Sequence, residues 1–520
     1  YGDGLVSIDV AGAVRTVPVG PDGKPVKALV TNSGTIVAEG GRVLLTAQAV
    51  DGLIQNLVDA GGTISANGVS GKPAGTVLVQ GVGGSITIAG TLTADGAGTG
   101  GTGGAVGLDA TGGVAVQKTA RIDASGPTGG GVVAVGTTLA RAKGGPGTPA
   151  GLTAQNVFIA PGATISADAT AAGNGGRVVV LSTLSTADHG AITAEGGPAG
   201  GNGGFVEISG HDLTLDGSVN TSAPLGVMGT ILLDPYNLQI VLAGENDGDV
   251  TTTPVNGVAF GSGNTAPGST DTVSASVIED LTGNVTLQAI NNLEVSANLA
   301  LTGTNQSLLM EAGNNLTVDS GVSVSATGNV EMDASSAAIP GHTTTGELLM
   351  DGAISAGGNI SLSAGTGGIL LGRFPDEAAP NGNVSATAGT VALVTSSGFV
   401  EQNHGTIAAE MLVGSSPSVS LEGNNAIGTL GSFSMPSGSD FFFNDGVGLT
   451  VAGPVSAVDS FVSLSTAGNL ILSGILNATG EAVALTVGGS ITEPRGAILA
   501  DTLSGSSGGA ALFTGVNAIG

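Results

Sequence analysis

The chain has 520 residues, of which 94 are glycine, 11 phenylalanine and two tyrosine, with no tryptophan and no cysteine, and its 12 basic against 40 acidic side chains give a net charge of −28. Without cysteine there are no disulfide staples, no thiol catalysis and no cysteine-ligated metal, and so acidic a chain has no basic stripe to neutralise nucleic acid or an anionic membrane. Glycine without an every-third-residue period excludes collagen, 41% hydrophobic against 10% charged residues argues against disorder, and no apolar run is long enough for a membrane-spanning helix.

From the first residue to Arg177 the charge is balanced, 10 basic against 10 acidic; from Val178 onward only Arg373 and Arg495 face 30 acids. Up to about residue 222 a short phrase recurs: a branched residue, any residue, alanine, then an acid or polar group. It stands at Ile36-Val37-Ala38-Glu39, Ile64-Ser65-Ala66-Asn67, Leu92-Thr93-Ala94-Asp95, Ile122-Asp123-Ala124-Ser125, Ile165-Ser166-Ala167-Asp168 and Ile192-Thr193-Ala194-Glu195, with a degraded copy at Val219-Asn220-Thr221-Ser222. The steps between the branched residues are 28, 28, 30, 43, 27 and 27, a period near 28 with one long insertion. Most copies lead into a glycine-rich turn and then an alternating run such as Phe205-Val206-Glu207-Ile208-Ser209, which reads as turn and strand. A short all-strand repeat of this length suits a parallel β-helix, in which one coil cannot bury its inner face but stacked coils can.

Residues 242–283 break the period, and within them Ser274 to Leu281 reads as a short helix with serine at its start and Gly283 behind. After the break the coil shortens. Asn291-Asn292-Leu293-Glu294-Val295 aligns with Asn314-Asn315-Leu316-Thr317-Val318 at a step of 23. A longer unit lies over it: Val391-Ala392-Leu393 matches Val483-Ala484-Leu485, Glu401 matches Glu493 and Asn425 to Gly428 matches Asn517 to Gly520 at 92, whereas Gly405, Ile407 and Ala409 match Gly496, Ile498 and Ala500 at 91. This reads as a super-repeat of about four coils of 23. The expected fold is all-β, an elongated parallel β-helix of about 20 coils: 1–241 with long coils, 242–283 as an irregular insert, and 284–520 with short coils, holding one super-repeat at 391–482 and an incomplete one at 483–520. The second copy stops in mid-phrase and the chain opens on Tyr1, so the sequence reads as a segment of a longer array.

Several phrases resemble the filamentous haemagglutinin family of two-partner-secreted exoproteins of Gram-negative bacteria. They are Ala28-Leu29-Val30-Thr31-Asn32-Ser33-Gly34-Thr35-Ile36 running into Gly41-Arg42-Val43-Leu44-Leu45-Thr46-Ala47, Gly203-Gly204-Phe205-Val206-Glu207-Ile208-Ser209-Gly210, and Gly229-Thr230-Ile231-Leu232-Leu233-Asp234-Pro235 continuing to Ile240. The resemblance covers about residues 28 to 290. It implies a right-handed β-helix, passage through an outer-membrane partner transporter, and an extracellular, cell-surface location. The family's secretion domain, with its Asn-Pro-Asn-Gly type motif, is absent from this sequence, so the chain corresponds to the shaft.

Chemistry-bearing residues are sparse. His189, His211, His342 and His404 fall singly in different coils and lack metal-ligand spacing. Glu245, Asp247 and Asp249 form a weak calcium candidate that lacks the closing glutamate of an EF-hand loop. Seven Asn-x-Ser/Thr sequons, at Asn220, Asn284, Asn305, Asn315, Asn359, Asn383 and Asn477, fit asparagine turns followed by strands. Phe433 with Phe441, Phe442 and Phe443 is the one aromatic cluster, either a contact patch or lumen filling. The sequence therefore points to a non-enzymatic adhesin shaft without cofactor, contacting a cell-surface receptor, a glycan or neighbouring fibres. The alternatives are the stick of a contact-dependent toxin-delivery protein and a glycan-degrading β-helix enzyme, the latter disfavoured by the scarcity of basic and aromatic groups.

Overall fold

A strand that alternates branched and small polar residues buries one side only, and a chain of such strands separated by glycine corners winds so that every buried side faces one lumen. The computed structural model describes residues 5–9, 12–69, 73–98, 100–242, 270–373, 381–436 and 439–520, and the backbone of 252–255 and 258–261. Strands make up 54% of it and helices 2%, and the strands pair in parallel from coil to coil. Two compact units divide it: Tyr1–Tyr236 with Ala243–Thr286, and Asn237–Leu242 with Leu287–Gly520.

The first unit has three faces. Face 1 stacks Leu5–Asp9, Arg42–Gln48, Thr76–Val82, Ala105–Ala110, Val132–Val135, the start of Arg177–Asp188, Phe205–Ser209 and Thr230–Asp234. Face 2 begins at Val30–Asn32 and runs to Asp212–Leu215. Face 3 is a separate seven-stranded sheet of three-residue strands. It is built by the recurring phrase: Ile36, Ile64, Leu92, Ile122, Ile165, Ile192 and Val219 are direct register partners. The phrase's alanines Ala66, Ala94, Ala124, Ala167 and Ala194 are fully buried beside them.

Those alanines sit at the corner into face 1, and their carbonyls accept the N–H groups of Gly75, Gly104, Gly131, Gly176 and Gly204 at 2.7 to 2.8 Å. These glycines lie one above another. A Cβ on any of Gly104, Gly131, Gly176, Gly204 or Gly229 would meet the carbonyl oxygen of the glycine one coil below, closer than any real side chain approaches backbone. Glycine is required here for close passage of one coil over the next.

The step of 43 is an excursion between faces 1 and 2, and it carries a helix that the sequence reading does not contain. This helix, α1 (Leu139–Gly144), is capped by the Thr138 side chain, which accepts from Arg141 N, and ends at Gly145 with φ 81°. Six residues are too few to show a helical period, and the flanking glycines and Pro146 read as loop. The expected helix forms as α2 (Ala275–Glu279), with Ser274 at its N-cap position. The insert that contains α2 groups with the first unit: Thr282 N donates to Val219 O, Thr221 N to Thr282 O, and Asn284 N to Gly229 O.

In the second unit one inward column runs Leu238, Leu293, Leu316, Leu348, Ile369, Val400, Val419, Phe441, Val462 and Val483. After the aligned 23-residue step from Leu293 to Leu316 the spacing varies, settling at 21 between Phe441, Val462 and Val483. This changes the reading of the super-repeat. Val391 belongs to a different column, which passes to Leu412; there the register shifts, Leu412 facing Leu430 and Gly414 facing Phe433, and beyond the shift this side of the coil continues from Phe433 through Val455 to Leu476. Four coils from Val391 therefore end at Leu476, and Val483 lies one face further along: 92 residues make four coils and one face.

Strand alternation also corrects one pairing. Gln402 and Glu493 point into the lumen, 6% and 0% exposed, whereas Glu401 points outward. The structural counterparts are thus Gln402 and Glu493 at 91 residues, and the deletion falls before Val400. Their networks agree. Gln402 accepts from Gly423 N and donates to Asn425 Oδ1, which also accepts from Ile407 N. Glu493 accepts from Gly515 N and Asn517 Nδ2, while Asn517 Oδ1 accepts from Ile498 N.

Candidate functional site

Of the two readings of the aromatic cluster, contact patch or lumen filling, burial supports lumen filling for three of its four rings. Phe433, Phe441 and Phe443 are at most 2% exposed and fill the lumen, with ring centroids 5.2 Å apart for Phe433 and Phe441 and 6.3 Å for Phe441 and Phe443. Gly414 makes the room, because a Cβ there would run into the Phe433 ring. Phe442 alone stands on the outer side, against Phe461 at 5.8 Å. Glu245, Asp247 and Asp249 lie outside the described residues.

The four histidines stay in separate surroundings. His189 pairs with Asp216 and tilts against Phe158, and His211 Nδ1 lies 3.0 Å from Asp212 with its ring stacked on Tyr236. His342 Nδ1 meets Ile339 O, and His404 donates its backbone N–H to Leu371 O. Among the described residues no group of three or more His, Asp or Glu is placed to hold a metal ion. Several sequon asparagines bond within the coil stack: Asn315, Asn359 and Asn383 accept from the N–H groups of Glu347, Thr390 and Thr406 in following coils.

Two outer-surface features of the first unit are not legible as sites in the sequence. The first is the seat of α1 on face 1. Ala142 packs on Ala134 and Val179, and Leu139 covers Gly107. Arg141 forms a two-pronged pair with Glu207, their side chains 8% and 1% exposed. Arg177 sends Nε to Ala142 O at 2.9 Å and lies 4.2 Å above the Phe205 ring. Burial and the nearby Arg141 charge lower the Arg177 pKa, against the raising effect of Glu207. The only sequence signal for this seat is the length of the insertion.

The second is a polar column on face 1, at its opposite end. Asp9, Thr46, Gln80 and Asp109 are successive register partners, all outward. Thr46 Oγ1 donates to Asp9 Oδ1 at 2.5 Å, and Gln80 faces Asp109, which is 2% exposed. The column escapes a period search because its steps are 37, 34 and 29.

Buried acids in the first unit take up protons easily. Asp188 stands inside the lumen between Ile159 and Leu215, fully buried; one oxygen accepts from Gly190 N at 3.0 Å, and burial pushes its pKa up to about 6. Burial raises Asp109 to about 6, burial with the Asp123 carboxylate raises Asp95 to about 7, and burial with Asp212 raises Asp271 to about 8. Each folded-state pKa lies above the unfolded value, so the stabilisation is complete below about pH 4 and is lost as pH rises through the folded values. The melting temperature of the first unit is therefore expected to fall between about pH 4 and pH 8, most steeply below pH 6. Asp188→Asn, which keeps the oxygen for Gly190 and removes the charge, should flatten the pH 4 to 6 section of that fall. A melting profile for Asp188→Asn parallel to the parent's would refute this.

No protein-family model and no curated protein matches the chain.

Proposed function

We infer that the chain belongs to the shaft of a secreted, cell-surface fibrous protein whose work is attachment, and that it has no catalytic role. The observation that carries this reading is the use made of the side chains. Coil after coil, branched residues fill the lumen, and polar groups are spent on bonds to the neighbouring coil, as in the Gln402–Asn425 and Glu493–Asn517 networks. A stack of this kind gains stability coil by coil and provides reach. The acidic stretch beyond Arg177 fits the same role, since like-charged shafts repel and stay dispersed. The resemblance of residues 28–290 to two-partner-secreted exoproteins supports an outer-membrane transporter as export partner, a position outside a Gram-negative cell, and a receptor, glycan or neighbouring fibre as target.

The test is attachment by the isolated chain. Beads coated with it should adhere to host cells, sibling cells or matrix more than beads coated with an acidic protein of equal charge density. Equal adherence on all three surfaces would refute an adhesive role for this segment.

A further inference from the structure

The end of face 1 away from α1 in the first unit has the chemistry of a sugar site. A cavity of about 230 Å³ opens there, with Ser7, Asp9, Leu44, Thr46, Gln48 and Gln80 among its lining residues. Parallel register explains the convergence: Ser7 and Leu44 are partners in one outward column, and Asp9, Thr46 and Gln80 are partners in the next. Successive rungs of a parallel sheet stand about 4.8 Å apart, close to the length of one pyranose ring. The polar groups comprise one carboxylate, two primary amides and two hydroxyls. Carboxylate and amide oxygens accept from sugar hydroxyls, amide N–H groups donate to them, and the Leu44 side chain offers an apolar surface to the C–H side of a ring. The described lining contains no lysine or arginine, so a phosphate, sulfate or uronate would enter without a counter-charge, next to Asp9.

The far end of the column is closed. Beyond Gln80 it continues to Asp109, which is buried, and two residues earlier on the same outward side Gly107 lies under Leu139 of α1. A chain laid along the column from Asp9 would stop at that helix. We propose that this pocket binds the end of a neutral glycan, one or two sugar units deep, with Asp9, Gln48 and Gln80 as the hydrogen-bonding groups and α1 as the stop. The proposal names a site and ligand class for the attachment function inferred above and rests on that reading for its biological use, though not for its chemistry.

Saturation-transfer NMR on the intact chain tests it with lactose, maltotriose and N,N′-diacetylchitobiose as neutral probes and sialyllactose as the acidic one. Transfer to at least one neutral probe is expected, concentrated on its terminal unit. Gln48→Ala and Asp9→Asn, both at exposed positions, should weaken binding at least tenfold, with an unchanged melting curve. Thr193→Ala on face 3 should leave binding unaltered. Absence of transfer to every neutral probe, transfer that survives both variants, or preference for sialyllactose would each overturn the proposal. The two readings fail separately: beads that adhere to cells while no sugar binds remove this site and leave adhesion standing, and sugar binding without cell attachment does the reverse.

Discussion

Glu207→Ala should cost about 3–5 kcal/mol, the usual consequence of stranding one member of a buried ion pair. The Arg141 guanidinium would keep its place under α1 with no carboxylate opposite and only 8% exposed. It can escape only if α1 lifts off, which would uncover Ala134, Ala142 and Val179 and break the Arg177 bond to Ala142 O. The variant should therefore show a lower denaturant midpoint together with fast hydrogen exchange and new tryptic cleavage at Arg141 and Lys143. Arg141→Ala should behave similarly, and the double variant should lose less than the two single losses combined, since the partners share one interaction. Replacing both by apolar residues of similar volume should come near the parent's stability. If Glu207→Ala cost no more than Glu39→Ala on the surface, the pair would not anchor the helix.

Gly131→Ala is expected to destabilise at the upper end of the roughly 1–3 kcal/mol typical of forcing a methyl into filled space. The new Cβ would meet Gly104 O, Gly103 C and Ala124 O, all backbone, so no side chain can swing aside. Gly100→Ala supplies the contrast, because a Cβ there meets nothing within 4 Å. Chemical denaturation of both variants against the parent measures the difference. Equal midpoints for the two would show that coils separate easily at this corner and that the stacked glycines have another origin.

The features of this fold that can be read from the sequence are those in which each coil repeats the same physical constraint. The Ile-x-Ala phrase is visible because a branched residue and an alanine must return to the same two lumen columns, and its copies from Ile36 to Val219 are register partners. The turn from period 28 to shorter coils is visible for the same reason at Leu293 and Leu316. What escapes is what happens once. The α1 seat joins Arg141 to Glu207 across 66 positions, and no repeated spacing links the two. Spacing alone also misjudges direction: Glu401 and Glu493 match as letters, yet alternation turns one outward and the other inward. The phenylalanine cluster cannot be assigned inward without knowing that Gly414 leaves space for Phe433.

The extra face in each 92-residue unit gives the second unit a phase. Because Val391 and Val483 stand one face apart rather than in one column, a motif copied at that interval does not form a stripe along one side. With three strand ladders to a coil, it advances by a third of a revolution, so three consecutive copies occupy all three faces and a fourth returns to the first. An array grown by duplicating this unit would thus display whatever its coils carry in all azimuths around its axis, as a screw thread does, and could be approached from any direction. Gain or loss of one unit would rotate every group beyond it by the same third of a turn, so length variation in such an array would also re-aim its distal surface.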